Sequence, residues 1–131
     1  MPGKEKGKRG AMRSRGTRTR SQRTPETTSI VLRIAAERSA EFETLFEAEE
    51  LPIWDDFVRR GRFLEARLVR TVGGSETRDG LQDYILHVVA ADHAAHEEHD
   101  SDPRFRGFLA KAQRMQAEEP LVWFGDTVFE R

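Results

Sequence analysis

The sequence predicts an α+β protein of the ferredoxin-like order βαββαβ, in which two helices cover one face of a four-stranded antiparallel sheet. From residue 29 to residue 131, the spacing of apolar residues alternates between strand and helix periods in this order. Turn signals separate the second and third predicted strands. Apolar residues also occupy the face of the sheet that the helices leave open, which predicts that a second copy of the chain covers this face.

The first three strands are predicted from alternating or continuous apolar residues at 30–35, 63–72 and 81–91. Gly-Gly and Asp-Gly pairs between the second and third strands predict a hairpin loop. The alternation in the second strand predicts one face with Leu64, Ala66, Leu68 and Val72, and an opposite face with Phe63, Glu65, Arg67 and Val69.

Two helical regions are predicted between these strands and the end of the chain. Ser39 can cap the first helix, which Pro52 interrupts and Gly61 ends, so we expect one kinked helix or two short ones. Asp92 and Asp102 can cap the two segments of the second helical region. An apolar stripe at helical spacing follows Asp102.

The C-terminal strand is predicted at residues 127–130, after the Gly-Asp turn. Residues 121–124 are compatible with a strand or with the end of a helix.

Residues 1–28 differ in composition from the rest of the chain. They hold nine basic and two acidic residues, a net charge of +7, whereas the remaining 13 basic and 21 acidic residues give 29–131 a charge of −8. Almost no apolar residue accompanies the positive charge, so 1–28 is predicted to be a disordered basic tail and 29–131 a single domain. The tail is predicted to be solvated, or to contact nucleic acid or an acidic partner.

The composition also excludes several classes of protein. Without cysteine, the chain has no disulfide framework, thiolate metal site or cysteine nucleophile. No apolar run approaches the ~20 residues that cross a bilayer, and no signal-peptide pattern follows the N-terminus, so we expect a cytoplasmic protein without a membrane partner. Phosphate-binding glycine loops and nucleophile-elbow motifs are missing as well.

Four stretches of sequence carry a resemblance to a known family: LPI at 51–53, GRFLEARL at 61–68, DPRFR at 102–106 and FGD at 124–126. Together they resemble the dimeric α/β-barrel superfamily and, within it, the bacterial domain of unknown function 4286 family. The resemblance implies a homodimer whose two sheets pack face to face, with pockets between sheet and helices. Relatives in the superfamily include cofactor-free monooxygenases, haem-degrading enzymes and chlorite-dismutase-like proteins.

A histidine-rich stretch, 92–100, is the densest set of potential metal ligands. His93, His96, His99 and Asp100 lie at helical spacing, and two imidazoles with a carboxylate suit non-haem iron or zinc. The alternative is a solvated helix start whose polar residues face water. Apart from this metal alternative, no cofactor is predicted.

A second set of candidates lies on the strands and near the aromatic residues. His87, within an apolar strand, is either a general base or a core histidine with a hydrogen-bond partner. Arg33 and Tyr84 can bind a ligand or contribute hydrogen bonds to a dimer interface. Trp54 and Trp123 can line a pocket for a flat ligand or serve in packing.

The sequence therefore supports two hypotheses of different kinds. In the first, a cytoplasmic homodimer binds a small apolar or aromatic molecule between sheet and helices, in the manner of a cofactor-independent monooxygenase, with His87 as base. In the second, the chain is a non-catalytic assembly or regulatory module whose basic tail contacts nucleic acid or an acidic partner.

Overall fold

The structure, a computed structural model, describes residues 24–131 and confirms the ferredoxin-like order. The strands are Glu26–Ala35 (β1), Phe63–Arg70 (β2), Leu81–Ala90 (β3) and Gln116–Gly125 (β4), and the α-helices are Ser39–Leu45 (α1), Leu51–Arg59 (α2), His93–Ser101 (α3) and Pro103–Gln113 (α4). All strand pairs are antiparallel, in the spatial order β2-β3-β1-β4. No helix within 24–131 has the length and apolar character of a membrane span.

Alternation along β3 defines the two faces of the sheet. Tyr84, Leu86, Val88 and Ala90 pack in the core, so Ile85, His87 and Val89 point to the opposite face. The helices cover only the Tyr84 side. We call the opposite side the open face.

The first helical region bends as the sequence predicts. A 3₁₀ turn, Ala36–Arg38, leads into α1, and a π turn, Phe46–Glu50, separates α1 from α2. Pro52 lies in the first turn of α2, directly after the π turn, so its missing N–H falls where the regular α-helical hydrogen bonding is already interrupted. The predicted cap at Ser39 is wrong. Ser39 is the first residue of α1, and the 3₁₀ turn before it already provides hydrogen bonds for the backbone there. Gly61, with φ of 73°, ends the region as predicted.

Four aromatic side chains of the core, Phe42, Phe46, Trp54 and Phe57, come from the first helical region. Phe42 contacts Tyr84 with ring centroids 5.0 Å apart, and Phe57 contacts Phe63 at the same distance. Phe57 is completely buried. Burying one such side chain contributes about 1.5–3 kcal/mol to folding.

The first strand begins at Glu26, before the domain boundary predicted at residue 29. Glu26 is 1% exposed and lies opposite Ala90 in the sheet. A buried glutamate in a segment rich in polar residues gives no apolar period, so the pattern could not place it in the strand. Residues 1–23, which carry most of the predicted basic tail and its nucleic-acid contact, lie outside the described residues.

The predicted faces of β2 are wrong at its first two residues, Phe63 and Leu64. The pairing of β2 with β3 shifts between Phe63 and Glu65, which is the signature of a β-bulge. The bulge turns Phe63 into the core beside Phe57, while Leu64 is 56% exposed. After the bulge, Ala66 and Leu68 pack against the core as predicted.

The last strand is Gln116–Gly125, so the prediction of a strand at 127–130 is wrong. Its first half contains Glu118, Glu119 and Pro120, which have low strand propensity and mask it in the sequence. The strand forms at the edge of the sheet, where proline is tolerated, by pairing with β1.

Both aspartate caps are confirmed. Asp92 Oδ1 accepts a hydrogen bond from the Ala95 backbone N–H at 2.8 Å, and Asp102 Oδ1 accepts one from Arg104 at the same distance. Each cap satisfies a backbone donor that has no partner within its helix.

Replacing Asp92 with alanine is expected to lower the free energy of unfolding by about 1 kcal/mol, because the cap of α3 is lost. Urea unfolding measures the change. Asp55→Ala, at an exposed helical position, is the control and should stay within about 0.5 kcal/mol of the parent. Equal losses in the two variants would contradict the capping role.

Candidate functional site

The five residues proposed as catalytic or ligand-binding divide between the two faces of the sheet. His87, Arg33 and Trp123 lie on the open face, whereas Tyr84 and Trp54 lie on the helical side. No single site among the described residues therefore contains all five.

His87 lies beside Ser29 on the open face. Its Nδ1 is 3.5 Å from the Ser29 hydroxyl and its Nε2 is 3.4 Å from the Glu65 carboxylate. Trp123 pairs with Ser29 across β1 and β4 and is 59% exposed. His87 therefore has polar neighbours on a half-buried surface rather than a place within an enclosed cavity.

Arg33 lies further along the same face. Its guanidinium is 3.9 Å from the carboxylates of both Asp83 and Glu118, and its side chain is 9% exposed. These are long ion pairs, and the Arg33 Nε and Asp83 Oδ1 atoms have no hydrogen-bond partner among residues 24–131.

An apolar row crosses the whole open face. Val69, Ile85, Val31 and Leu121 are direct cross-strand partners on the four strands, in that order. Ile85 is 40% exposed and Leu121 44% exposed. Val31 is partly buried, and the other three are exposed. An apolar row with exposed branched side chains is typical of a surface that another protein covers.

On the helical side, Tyr84 belongs to a hydrogen-bonded group with Glu43 and Arg70. The Tyr84 hydroxyl donates to Glu43 Oε2 at 2.6 Å, and the Arg70 guanidinium donates to both Glu43 oxygens at 2.6 and 2.7 Å. The hydrogen bonds from Arg70 and Tyr84 lower the pKa of Glu43 to about 2. Burial, together with the Glu43 carboxylate, raises the pKa of Tyr84 to about 12. Glu43 is thus an anchored anion and a weak base.

Glu43 stands at the rim of a groove between the first helical region and the edge strand β2. The lining is mostly apolar, with Phe46, Leu51, Trp54, Val58, Ala66 and Leu68. Charged residues complete it, namely Glu43, Glu47, Asp55 and Arg67. Val58 is 50% exposed, and Trp54 packs edge-on against Phe46 at 5.1 Å. The groove is open to solvent and offers apolar walls to a flat molecule.

The histidine-rich stretch forms α3, where it contacts a carboxylate from the start of β1. Glu26 Oε2 is 3.1 Å from His93 Nδ1, and Glu26 Oε1 is 2.5 Å from His96 Nδ1. The ligand atoms of these three residues all lie within 4.8 Å of one another. Burial alone would raise the pKa of Glu26, but the hydrogen bonds to His96 and His93 outweigh it and hold the pKa below its ordinary value.

The other nitrogens of these two histidines also face carboxylates. His93 Nε2 is 3.2 Å from Glu97 Oε2, and His96 Nε2 is 2.9 Å from Asp100 Oδ2. Each imidazole is thereby held between an internal carboxylate and one on its own helix.

His99 and Asp100, the other two proposed metal ligands, are arranged differently. His99 Nε2 is 2.7 Å from Glu50 Oε2, and its Nδ1 is 3.1 Å from Asp100 Oδ1. The His99 ring packs on Phe57, Phe63 and Phe105. Burial would lower the pKa of His99, but the hydrogen bonds to Asp100 and Glu50 raise it to about 9. His99 therefore forms a buried ion pair with Glu50, and Asp100 links His99 to His96 of the group that Glu26 joins.

Three carboxylates at these sites were missed from the sequence: Glu26, Glu43 and Glu50. Each lies far along the chain from its partner, as with Glu50 and His99, which are separated by 49 residues. A glutamate within an otherwise polar or helical segment has the pattern of a solvated residue, so only the tertiary structure reveals its partner.

Comparison with known proteins shows the fold. No family model matches the chain, and no curated protein matches it either. Among solved structures, one from Caulobacter crescentus, described as a candidate antibiotic biosynthesis monooxygenase, is 20% identical with a TM-score of 0.65, over 82% of this chain and 93% of that one. A similarly described protein from Nitrosomonas europaea is 7% identical, with a TM-score of 0.66, and the alignment covers 85% of this chain and 97% of that one.

A third similar structure is a variant of SnoaB, a cofactor-independent oxygenase from Streptomyces nogalater. It is 20% identical, with a TM-score of 0.58, and the alignment covers 80% of this chain and 95% of SnoaB. These likenesses, at 7–20% identity, show the ferredoxin-like α+β fold. With no matching family model, the resemblances to the dimeric α/β-barrel superfamily and to the domain of unknown function 4286 family stay predictions.

Proposed function

We propose that this chain is a homodimer that binds a small apolar or aromatic molecule in the groove between β2 and the first helical region. The observation that carries the proposal is the groove itself, in which six apolar side chains are bordered by charged residues. Apolar walls with a few polar groups are typical of small-molecule sites. Proteins of the same fold that are described as a candidate antibiotic biosynthesis monooxygenase and as a cofactor-independent oxygenase support an enzymatic form of the proposal.

The charged rim gives the groove one fixed polar contact. Glu43 is held by Arg70 and Tyr84 and can accept a hydrogen bond from the ligand. Arg67 also borders the groove, but it pairs with His87 across β2 and β3, so its side chain points to the open face, where it binds Glu65. A flat molecule with a hydroxyl group on one edge fits this arrangement. A monooxygenase-like reaction of such a molecule with dioxygen is the enzymatic form of the proposal.

His87 cannot act as a base on a molecule in this groove, because the sheet separates them. Val88 and Leu86, its neighbours in β3, pack in the core on the helical side, and His87 therefore points to the open face. A base role for His87 requires a different ligand site, formed on the open face between two protomers.

Binding of 1-naphthol, a flat aromatic alcohol, is expected to quench Trp54 fluorescence with a saturable titration. In a Trp123→Phe background, Trp54 is the single tryptophan. Ala66→Phe, which fills the groove from β2, should weaken binding at least tenfold, or about 1.4 kcal/mol.

Two control variants test the location of that site. Ala117→Phe enlarges an exposed alanine on the other edge strand and should bind like the parent, as should His87→Ala. Absence of saturable binding, or an unchanged affinity in Ala66→Phe, would refute the groove as the ligand site.

A further inference from the structure

Glu26, His93 and His96 converge on one point between the start of β1 and the start of α3. Glu26 directs one carboxylate oxygen to each imidazole, and both imidazoles present Nδ1. Glu26 is 1% exposed, whereas the side chains of His93 and His96 are 29% and 20% exposed. The point of convergence therefore has a buried, anchored carboxylate on one side and two partly accessible rings on the other.

The other ring nitrogens determine which atoms face Glu26. An ionised carboxylate only accepts hydrogen bonds, so the Glu97 and Asp100 carboxylates require a proton on Nε2 of His93 and His96 respectively. For the same reason, the hydrogen bonds that Glu26 accepts require a proton on Nδ1. A metal ion can take the place of these Nδ1 protons, and the two Nδ1 atoms and the Glu26 carboxylate then serve as its ligands.

We propose that Glu26, His93 and His96 form a binding site for a divalent first-row transition-metal ion such as zinc or ferrous iron. Two imidazole nitrogens and one carboxylate are a common ligand set for these metals, and they leave positions open for water. Ligand atoms about 2.0–2.1 Å from a metal in tetrahedral geometry lie roughly 3.3 Å apart. The Glu26–His93 distances of 3.1 and 3.4 Å match this value, whereas Glu26 Oε1 and His96 Nδ1, 2.5 Å apart, must move apart to admit the ion.

The surrounding carboxylates strengthen the assignment. Metal-binding histidines usually donate their second N–H to a carboxylate, which orients the ring and makes the ligand nitrogen more basic. Glu97 and Asp100 hold these positions for the two histidines of the site. The site lies on α3 and β1, away from the groove on β2, so it is independent of the proposed ligand site.

The test is titration of the full chain with zinc alone, followed by calorimetry and elemental analysis. The expected result is one zinc ion per chain with micromolar or tighter affinity. Cobalt(II) in place of zinc should give visible absorption bands characteristic of nitrogen and oxygen ligands. His93→Ala and Glu26→Gln should each weaken zinc binding at least 100-fold, and Asp100→Asn should weaken it about 10–100-fold.

The matched control is His87→Ala, which removes a histidine on the open face and should leave zinc affinity unchanged. His93 is the most exposed of the three ligands, so its alanine variant should fold, which circular dichroism verifies. If protons rather than a metal supply the positive charge, the parent protein will bind no zinc and the proposal is overturned. Unchanged zinc affinity in folded His93→Ala would overturn it equally, by assigning the metal to other residues.

Discussion

Replacing His99 with leucine is expected to lower the free energy of unfolding at pH 7 by about 3–5 kcal/mol. His99 Nε2 is the hydrogen-bond partner of Glu50 Oε2, and Glu50 is 1% exposed. Glu50 Oε1 has no hydrogen-bond partner among residues 24–131. The variant therefore leaves a buried carboxylate without any compensating charge, which is among the most destabilising single changes in a folded protein.

The same pair gives stability a pH dependence with a defined sign. The pKa of His99 is raised to about 9 in the folded chain, whereas an unfolded histidine titrates near 6.5. Between these values the folded state binds more protons, so the free energy of unfolding falls as pH rises. The contribution of His99 is complete below about pH 6.5 and is lost as pH passes through about 9. His96, with a pKa raised to about 10, acts in the same direction.

Urea unfolding of the parent and of His99→Leu between pH 6 and pH 10 checks both expectations. The decline with pH should be shallower in the variant, since only His96 then contributes. Lys111→Leu, which removes an exposed ion pair with Glu49, is the control and should cost at most about 1 kcal/mol.

A double variant separates the loss of charge from the loss of packing. Glu50→Leu combined with His99→Leu removes both charges, so it should be more stable than His99→Leu alone. A double variant that is no more stable than the single one would show that the His99 ring contributes through its contacts with Phe57, Phe63 and Phe105 instead.

The features predicted correctly from the sequence depend on residues close together in the chain. Asp92 and Asp102 cap the helices that follow them, and Gly61 ends the helix that precedes it. Such interactions span a few residues, so their residue types indicate them directly. The order of strands and helices follows from the period of the apolar residues for the same reason.

The features that were missed depend on pairing between distant segments. Glu26 belongs to β1 only because it pairs with Ala90 and faces α3, and residues 116–120 form a strand only beside β1. The bulge that turns Phe63 into the core arises from the register with β3. The spacing of apolar residues within one segment encodes neither the register of a strand nor the segment that it contacts. The histidines of α3 were therefore identified without the carboxylates that face them.

Replacing Ile85 with lysine is expected to convert the proposed dimer into a monomer. Ile85 and Val31 lie on the two central strands of the open face, in the middle of the apolar row. In a twofold symmetric interface each change occurs twice, so two lysines would be buried near each other. Like charges placed together in an interface cost several kcal/mol, and we expect at least a 100-fold weaker dimer. Sedimentation velocity at micromolar protein concentration measures the shift.

The monomer should tolerate this lysine, because Ile85 is 40% exposed before any partner is present. Val58→Lys is the control, since Val58 is comparably exposed but lies on the helical side, and it should leave the dimer intact. A dimer formed through the helices would instead be disrupted by Val58→Lys and survive Ile85→Lys. If the parent protein sediments as a monomer, the proposal of a dimeric barrel is refuted. Any ligand site that two open faces could form around His87 and Trp123 is refuted with it.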